Sequence, residues 1–347
     1  MKKILILFML ISLLAVPVYA MDLTAPPVPE HAEKFMPESQ SNFAKDLLCI
    51  LRDALLYFRP DFKEAAKVCL YIAVITMATS LLYTFPGAST KSIDLSSSIT
   101  IALILIKSTG SLVNLAVETV TEISEYGKLL LPVMTAAMAG QGSINTSAAL
   151  YTATALFDAV LTSVIGKVLT PMVYLFLALA IACSALQQDV LKKMRDSTKK
   201  LISWMLKTIL YIYTGFIGIS GVVSGTTDAA ALKAAKLTIS SAVPVVGGIL
   251  SDASEAVLVS ATTVKNAAGI YGMFAILAIW IGPFLRTGAH YLLLKATGAV
   301  CATFANKASM ELIEDFSTAQ GLLLAMTGAD CLLLLISLVC FLRSVGP

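Results

Sequence analysis

A succession of long apolar stretches, which hold few charged residues, limits the folds that this chain can adopt. Of its 347 residues, 57% are hydrophobic and 14% are charged, whereas an average soluble domain has about 25% charged residues. A water-soluble core of this size cannot bury so much apolar surface, but a helix of about 20 apolar residues can cross the hydrocarbon layer of a bilayer. The sequence therefore predicts an all-α, polytopic helical membrane protein.

The apolar stretches differ in length and regularity. Most are long enough for one crossing, but Leu129–Met138 is short and predicts a half-span or re-entrant segment. Pro171 separates two neighbouring stretches. We predict about six to eight crossings, with at least one broken or re-entrant segment. The stretches are Val68–Phe85, Leu95–Val117, Leu129–Met138, Ala148–Leu169, Pro171–Leu186, Leu201–Val223, Ile239–Val264, Gly269–Phe284, Tyr291–Phe304 and Gly321–Leu342.

Residues 1–20 have the features of a secretory signal peptide. Lys2 and Lys3 form a short positive region, Ile4–Leu14 is apolar, and Ala20 offers a small residue at a cleavage site. An uncleaved first span is the alternative. If the peptide is cleaved, the mature N-terminus lies outside the cytoplasm.

The next region, residues 21–67, is the most polar part of the chain. We interpret it as an extracytoplasmic linker, with an amphipathic helix at about residues 42–57, where apolar side chains recur at helical spacing. Such a helix can lie on the membrane surface, on a partner or on its own protein. Residues 68–347 form the predicted transmembrane domain.

Positive charge gives one test of topology. Gln187–Lys200 is the most basic segment, and basic loops stay in the cytoplasm. With an external N-terminus, this segment is cytoplasmic only if Leu129–Met138 crosses the membrane. The number of crossings is therefore left open.

No catalytic, metal or cofactor motif is recognisable in the sequence. It has no GxxxxGK[ST], HExxH or GxSxG, its six cysteines show no CxxC spacing, and it has only two histidines. The net charge of +3 and the lack of basic runs with aromatic residues give no sign of nucleic-acid binding. We expect neither enzymatic activity nor a cofactor.

Ionisable residues within apolar stretches are the best candidates for function, because each costs about 2.5–3.5 kcal/mol to insert in a membrane. Arg286 and His290 share a helix face by their spacing. Several such residues lie near the ends of stretches, and the alternative for Lys167 and Arg286 is that they reach the interface. The predicted polar path consists of Asp158, Lys207, Asp252, Glu255, His290 and Asp330.

Two patterns of small residues also stand out. Pro244, Gly247 and Gly248 predict a broken helix, which at membrane depth must face protein or a water-lined cavity; a kinked span is the alternative. Glycines along one side of Leu201–Val223 predict close packing of helices, within the chain or between copies. These are Gly215, Gly218, Gly221 and Gly225.

The segment Ala234–Gly272, AAKLTISSAVPVVGGILSDASEAVLVSATTVKNAAGIYG, resembles the stage III sporulation protein AE family of endospore-forming Firmicutes. Leu130–Gly140 and the Pro171 stretch with its basic loop agree with this resemblance. It implies a place in the mother-cell membrane around the forespore, in a secretion-like conduit between the two cells. It also implies as partners the ATPase protein AA and the ring-forming protein AG, together with further copies of the chain.

On this resemblance, the leading hypothesis is a membrane component of that conduit that acts as its export gate or permease-like core. A self-sufficient secondary transporter is one alternative, although no internal repeat is evident. A scaffold that holds the assembly without passing anything is the other.

Overall fold

The computed structural model describes residues 25–37, 43–85, 89–242 and 247–343, with the backbone alone between 219 and 265. These residues are helical and contain no β-strand, so the predicted all-α class is confirmed. A π-helical segment, Ile165–Leu169, joins the helix that ends at Val164 to the helix that begins at Thr170. The helices are α1 Glu30–Glu33, α2 Phe43–Tyr57, α3 Arg59–Leu82, α4 Thr90–Gly140, α5 Ile144–Val164, α6 Thr170–Leu186, α7 Asp189–Ala242, α8 Gly247–Cys301 and α9 Lys307–Arg343.

Within the described residues, six helical stretches are long and apolar enough to cross a membrane. This number agrees with the lower end of the predicted range of crossings and confirms the multi-pass character. The stretches are Arg59–Leu82, Ser92–Gly140, Ile144–Leu186, Asp189–Gly218, Asn266–Cys301 and Lys307–Leu342.

Helix α4 contains two apolar stretches, Leu95–Val117 and Leu129–Met138, that the sequence predicted as separate segments. It has 51 residues, about 77 Å at 1.5 Å per residue, and it includes Leu129–Met138. That segment is therefore the end of a long helix and not a separate re-entrant piece. The helix continues through the charged region because Glu118 and Glu125 are exposed, whereas Val120 and Ile123 are buried on the opposite side.

The predicted break at Pro171 is a π-helical turn. Pro171 has no N–H to donate and its ring would clash with the preceding turn of an α-helix. The wider turn of Ile165–Leu169 accommodates it, and the Thr170 hydroxyl donates to the Ile165 carbonyl, five residues earlier, at 2.8 Å. The chain from Ile144 to Leu186 therefore continues without interruption.

Contacts along α4 give the directions of its neighbours. Near the start of α9, the hydroxyls of Ser97 and Ser309 lie 3.1 Å apart, and further along both helices Gly127 lies against Leu334. Helices α4 and α9 are therefore parallel. Helix α8 runs the opposite way, because its contacts with α4 move towards lower residue numbers, from His290 beside Ser108 to Gly272 beside Leu130.

A helix forms where the amphipathic pattern predicts one, as α2. It packs against α8, and Ile50 and Ala54 are buried. Leu48, Leu51 and Leu55 are exposed on the other side. One face of this helix thus packs on its own protein, and an apolar face points outwards.

The basic segment Gln187–Lys200 forms the first turns of α7 and pairs with acidic residues at the start of α9. Lys192 Nζ lies 3.0 Å from Glu311 Oε2, and Arg195 Nη1 lies 2.7 Å from Asp315 Oδ2. The spacing of the pairs along each helix, three and four residues, places both on one face. These two ion pairs fasten α7 to α9.

Candidate functional site

Two aspartates from the predicted polar path lie in the interior of the helical bundle. Asp158 on α5 is buried, and its Oδ2 accepts a hydrogen bond of 2.6 Å from the Ser124 hydroxyl of α4. Asp330 on α9 is fully buried. Both oxygens of Asp330 and the Oδ1 of Asp158 lack a hydrogen-bond partner among the described residues. Ser124 precedes Gly127 by three residues on α4, and Gly127 lies against Leu334, four residues after Asp330 on the parallel helix α9. The two carboxyl groups therefore lie at about the same level of the bundle.

A cluster of buried hydroxyl groups lies next to these carboxyl groups. The Thr154 hydroxyl of α5 lies 2.9 Å from the Ser337 hydroxyl of α9, and the Tyr213 hydroxyl of α7 contacts both. Tyr213 also donates to the Leu333 carbonyl at 3.2 Å. We call Ser124, Thr154, Asp158, Tyr213, Asp330 and Ser337 the polar column.

Helical spacing explains how two of the helices build the polar column. Thr154 and Asp158 are four residues apart on α5, and Asp330 and Ser337 are seven apart on α9, so each pair lies on one face of its helix. Apolar side chains surround the column, with the Phe157 ring 5.4 Å from that of Tyr213 between centroids. A polar group in such a setting is stable only when it is satisfied. The polar column therefore costs stability, and a protein that serves only as a membrane anchor has no need for it.

The structure does not bring Lys207 or His290 into the polar column. Lys207 is exposed on α7. His290 is buried, but its Nδ1 lies 3.3 Å from the Ser108 hydroxyl. Ser108 precedes Ser124 by about 24 Å along α4, at 1.5 Å per residue. The sequence shows which residues share a face of one helix. It does not show which helices pack against each other.

The side chains of Asp252 and Glu255 lie outside the described part of the structure, and so does Pro244. Gly247 and Gly248 are the first two residues of α8. The broken helix and the acidic pair beside it remain predictions. The same is true of the signal peptide, which also lies outside the described residues.

The glycines of α7 do not pack as closely within the chain as predicted. A Cβ atom at Gly215 or Gly218 would meet no other atom within 4 Å, so no helix approaches there among the residues that the structure describes. Gly221 and Gly225 belong to the part of α7 described by its backbone alone. The close approaches of helices occur at other glycines, namely Gly127, Gly269, Gly272 and Gly282.

A second polar region lies on the flank of the bundle, where the N-terminal segment crosses α4 and α8. Arg286 lies 3.2 Å from Asp61, and His31 lies 3.3 Å from Glu122. Sequence reasoning missed Asp61, His31 and Glu122 because their partners are distant in the chain. A cavity of about 250 Å³ lies between them, lined by His31, Phe58, Glu118, Glu122, Gly282 and Arg286.

Replacing Tyr213 by Phe tests whether the hydroxyl cluster stabilises the bundle. The change removes the group that links α5, α7 and α9, and hydrogen bonds between membrane helices contribute about 0.6–1.7 kcal/mol. We expect a lower free energy of unfolding by about that amount, measured by denaturant unfolding in lipid. Tyr211→Phe is the control, because Tyr211 is exposed on the same helix. Equal stability of the two variants would show that the cluster adds nothing.

Long apolar helices arranged around a buried polar column define a polytopic helical membrane protein. A family model described as stage III sporulation protein AE matches residues 32–344. The chain belongs to this family, and the resemblance noted in the sequence is confirmed. The curated stage III sporulation protein AE of Bacillus subtilis (strain 168) is 22% identical over 188 residues, which are 54% of this chain and 47% of that protein. The matched part thus spans about half of the relative's length. No solved structure matches the chain.

Proposed function

We propose that this protein is a membrane component of a secretion-like conduit between mother cell and forespore, and that it forms the export gate or permease-like core. Membership in the stage III sporulation protein AE family supports a role in sporulation. The polar column carries the more specific proposal. Four helices contribute to it, and it lies in the interior of the bundle. Ionisable groups within a membrane usually face such an interior and mark the path of an ion or a substrate.

The proposed location is the mother-cell membrane around the forespore. The sequence has no P-loop motif, so the energy for passage would come from a separate ATPase such as protein AA or from an ion gradient. Protein AG would be the extracytoplasmic partner. Several copies of the chain would surround the path.

Spore formation with altered aspartates tests this proposal. Asp158→Asn and Asp330→Asn keep the size of each side chain but remove the acid. We expect about tenfold fewer heat-resistant spores or worse, because intramembrane ionisable groups of this kind serve passage more often than packing. Glu125→Gln is the matched control, because Glu125 lies on α4 next to Ser124 but is exposed. Immunoblots of membrane fractions check that each variant accumulates normally.

Other outcomes would point to the alternatives. Normal spore counts from both aspartate variants, combined with loss of spores when residues 21–67 are deleted, would favour a non-conducting scaffold. Flux of a small solute into vesicles that contain this protein alone would favour a secondary transporter. Either result would contradict the proposal of a gate that works within a larger conduit.

A further inference from the structure

We propose that Asp330 and Asp158 form a proton-binding site in the core of the bundle, with the proton on Asp330 and the negative charge on Asp158. The site follows from the surroundings of the two carboxyl groups. It does not depend on the proposed conduit, since a purified protein with no sporulation partner present would also hold the proton.

The first argument is the burial of Asp330. Its side chain is fully buried, and within the described part of the chain neither oxygen accepts a hydrogen bond and no ion pair includes it. An ionised carboxylate in such a place costs several kcal/mol, which nothing here offsets. A bound proton removes the charge and with it most of this cost.

The second argument is the difference between the two acids. Asp158 is also buried, but it accepts a hydrogen bond from Ser124 at 2.6 Å, whereas neither oxygen of Asp330 has a hydrogen-bond partner among the described residues. When two carboxyl groups lie close together, the better supported one keeps the charge and the other keeps the proton. The environments of this pair therefore assign the proton to Asp330.

Among the residues that the structure describes, other titratable groups near the pair do not supply a counter-charge to Asp330. The groups whose charges interact with the pair come from three packed helices and from α9 itself. Lys128 on α4 acts on Asp158, and Asp158 on α5 acts on Tyr213 of α7. Cys331, the next residue on α9, has a thiol side chain and brings no positive charge to Asp330. The one cation in this set, Lys128, is exposed and acts on the other aspartate.

A proton fits the site better than a metal cation does. Hard cations take about six or more oxygen ligands, and the described residues contain no group of three or more Asp, Glu, His or Cys that could hold a metal ion. A bound proton needs only the carboxyl oxygen that carries it and one further oxygen that accepts its hydrogen bond. The Oδ1 of Asp158 is likewise buried without a hydrogen-bond partner among the described residues, so it is free to accept such a bond.

Infrared spectroscopy of the full-length protein in lipid nanodiscs tests the proposal. At neutral pH in sodium-free buffer, we expect the carbonyl band of a protonated carboxylic acid, separate from the carboxylate bands. The band should be lost in Asp330→Asn, shifted in Asp158→Asn and unchanged in the exposed control Glu125→Gln. Absence of the band in the wild-type protein would overturn the proposal. Loss of the band on adding sodium but not choline would overturn it in favour of a sodium site.

A second measurement does not require any variant to fold. A membrane-permeant carbodiimide adds to a protonated carboxylic acid: the acid proton moves to a carbodiimide nitrogen, the carboxyl oxygen bonds to the central carbon, and nothing leaves. Mass spectrometry of the wild-type protein should find the added mass on the peptide that contains Asp330. The peptide with the exposed Asp189 should stay unlabelled. An unlabelled Asp330 in protein that also lacks the infrared band would refute the site.

Discussion

Replacement of Arg195 by alanine is expected to lower the free energy of unfolding by about 3–5 kcal/mol, the usual cost of removing one partner of a buried ion pair. Arg195 Nη1 lies 2.7 Å from Asp315 Oδ2, and the two side chains are only 13% and 11% exposed. Without the guanidinium group, Asp315 would remain buried without a cation. Denaturant unfolding of the protein in lipid, followed by circular dichroism, measures the difference.

Two further variants make this prediction specific to the ion pair. Lys193→Ala, in the same turn of α7 but exposed, should change stability by about 0.5 kcal/mol or less. The exchange Arg195→Asp with Asp315→Arg should restore part of the loss, because it keeps both charges. If Arg195→Ala is as stable as Lys193→Ala, the pair does not fasten α7 to α9.

Gly272→Val is expected to destabilise the contact between α8 and α4 by about 1–3 kcal/mol, the usual cost of overpacking a core. A Cβ atom at Gly272 would lie 2.4 Å from Leu130 Cδ2, and valine adds two more methyl groups that have no room. The matched control is Gly288→Val on the same helix, since nothing lies within 4 Å of a Cβ there. Both changes alter helix propensity equally, so the difference between them measures the close approach.

Relief of the clash provides the test in the other direction. The double variant Gly272→Val with Leu130→Ala should be more stable than Gly272→Val alone, because the shorter side chain leaves space for valine. Thermal unfolding of the four proteins in the same lipid gives the coupling between the two positions. Additive effects would mean that Gly272 and Leu130 do not meet in the folded protein.

The sequence predicted the class of fold well and the lengths of individual helices poorly. Apolar composition identifies membrane segments because lipid demands it. Charged residues between two apolar stretches suggested a loop, yet Glu118 and Glu125 lie on the exposed side of one helix. A helix that packs along one face and is exposed along the other tolerates charge without ending. Only the three-dimensional packing shows which side the charges occupy.

The candidate site was predicted in part, for a related reason. Asp158 and Asp330 stood out because acids in apolar stretches are rare, and both are buried. Thr154, Tyr213 and Ser337 did not stand out, since hydroxyl groups are common in such stretches and their meeting depends on how three helices pack. Lys207 and His290, which also belong to the predicted path, have suitable chemistry but lie outside the polar column. The residue type alone shows which groups are costly to place in a membrane. The three-dimensional fold is needed to show where each group lies.

The length of α4 has a mechanical consequence. Along its axis this helix measures about 77 Å, whereas the hydrocarbon layer is about 30 Å thick. Even if it stands upright, roughly 47 Å of it must lie beyond the lipid tails. The same continuous helix spans the bilayer and extends past it. A push or tilt of its outer part would therefore also move the part within the membrane. A force applied outside the lipid tails would therefore act on the core of the bundle.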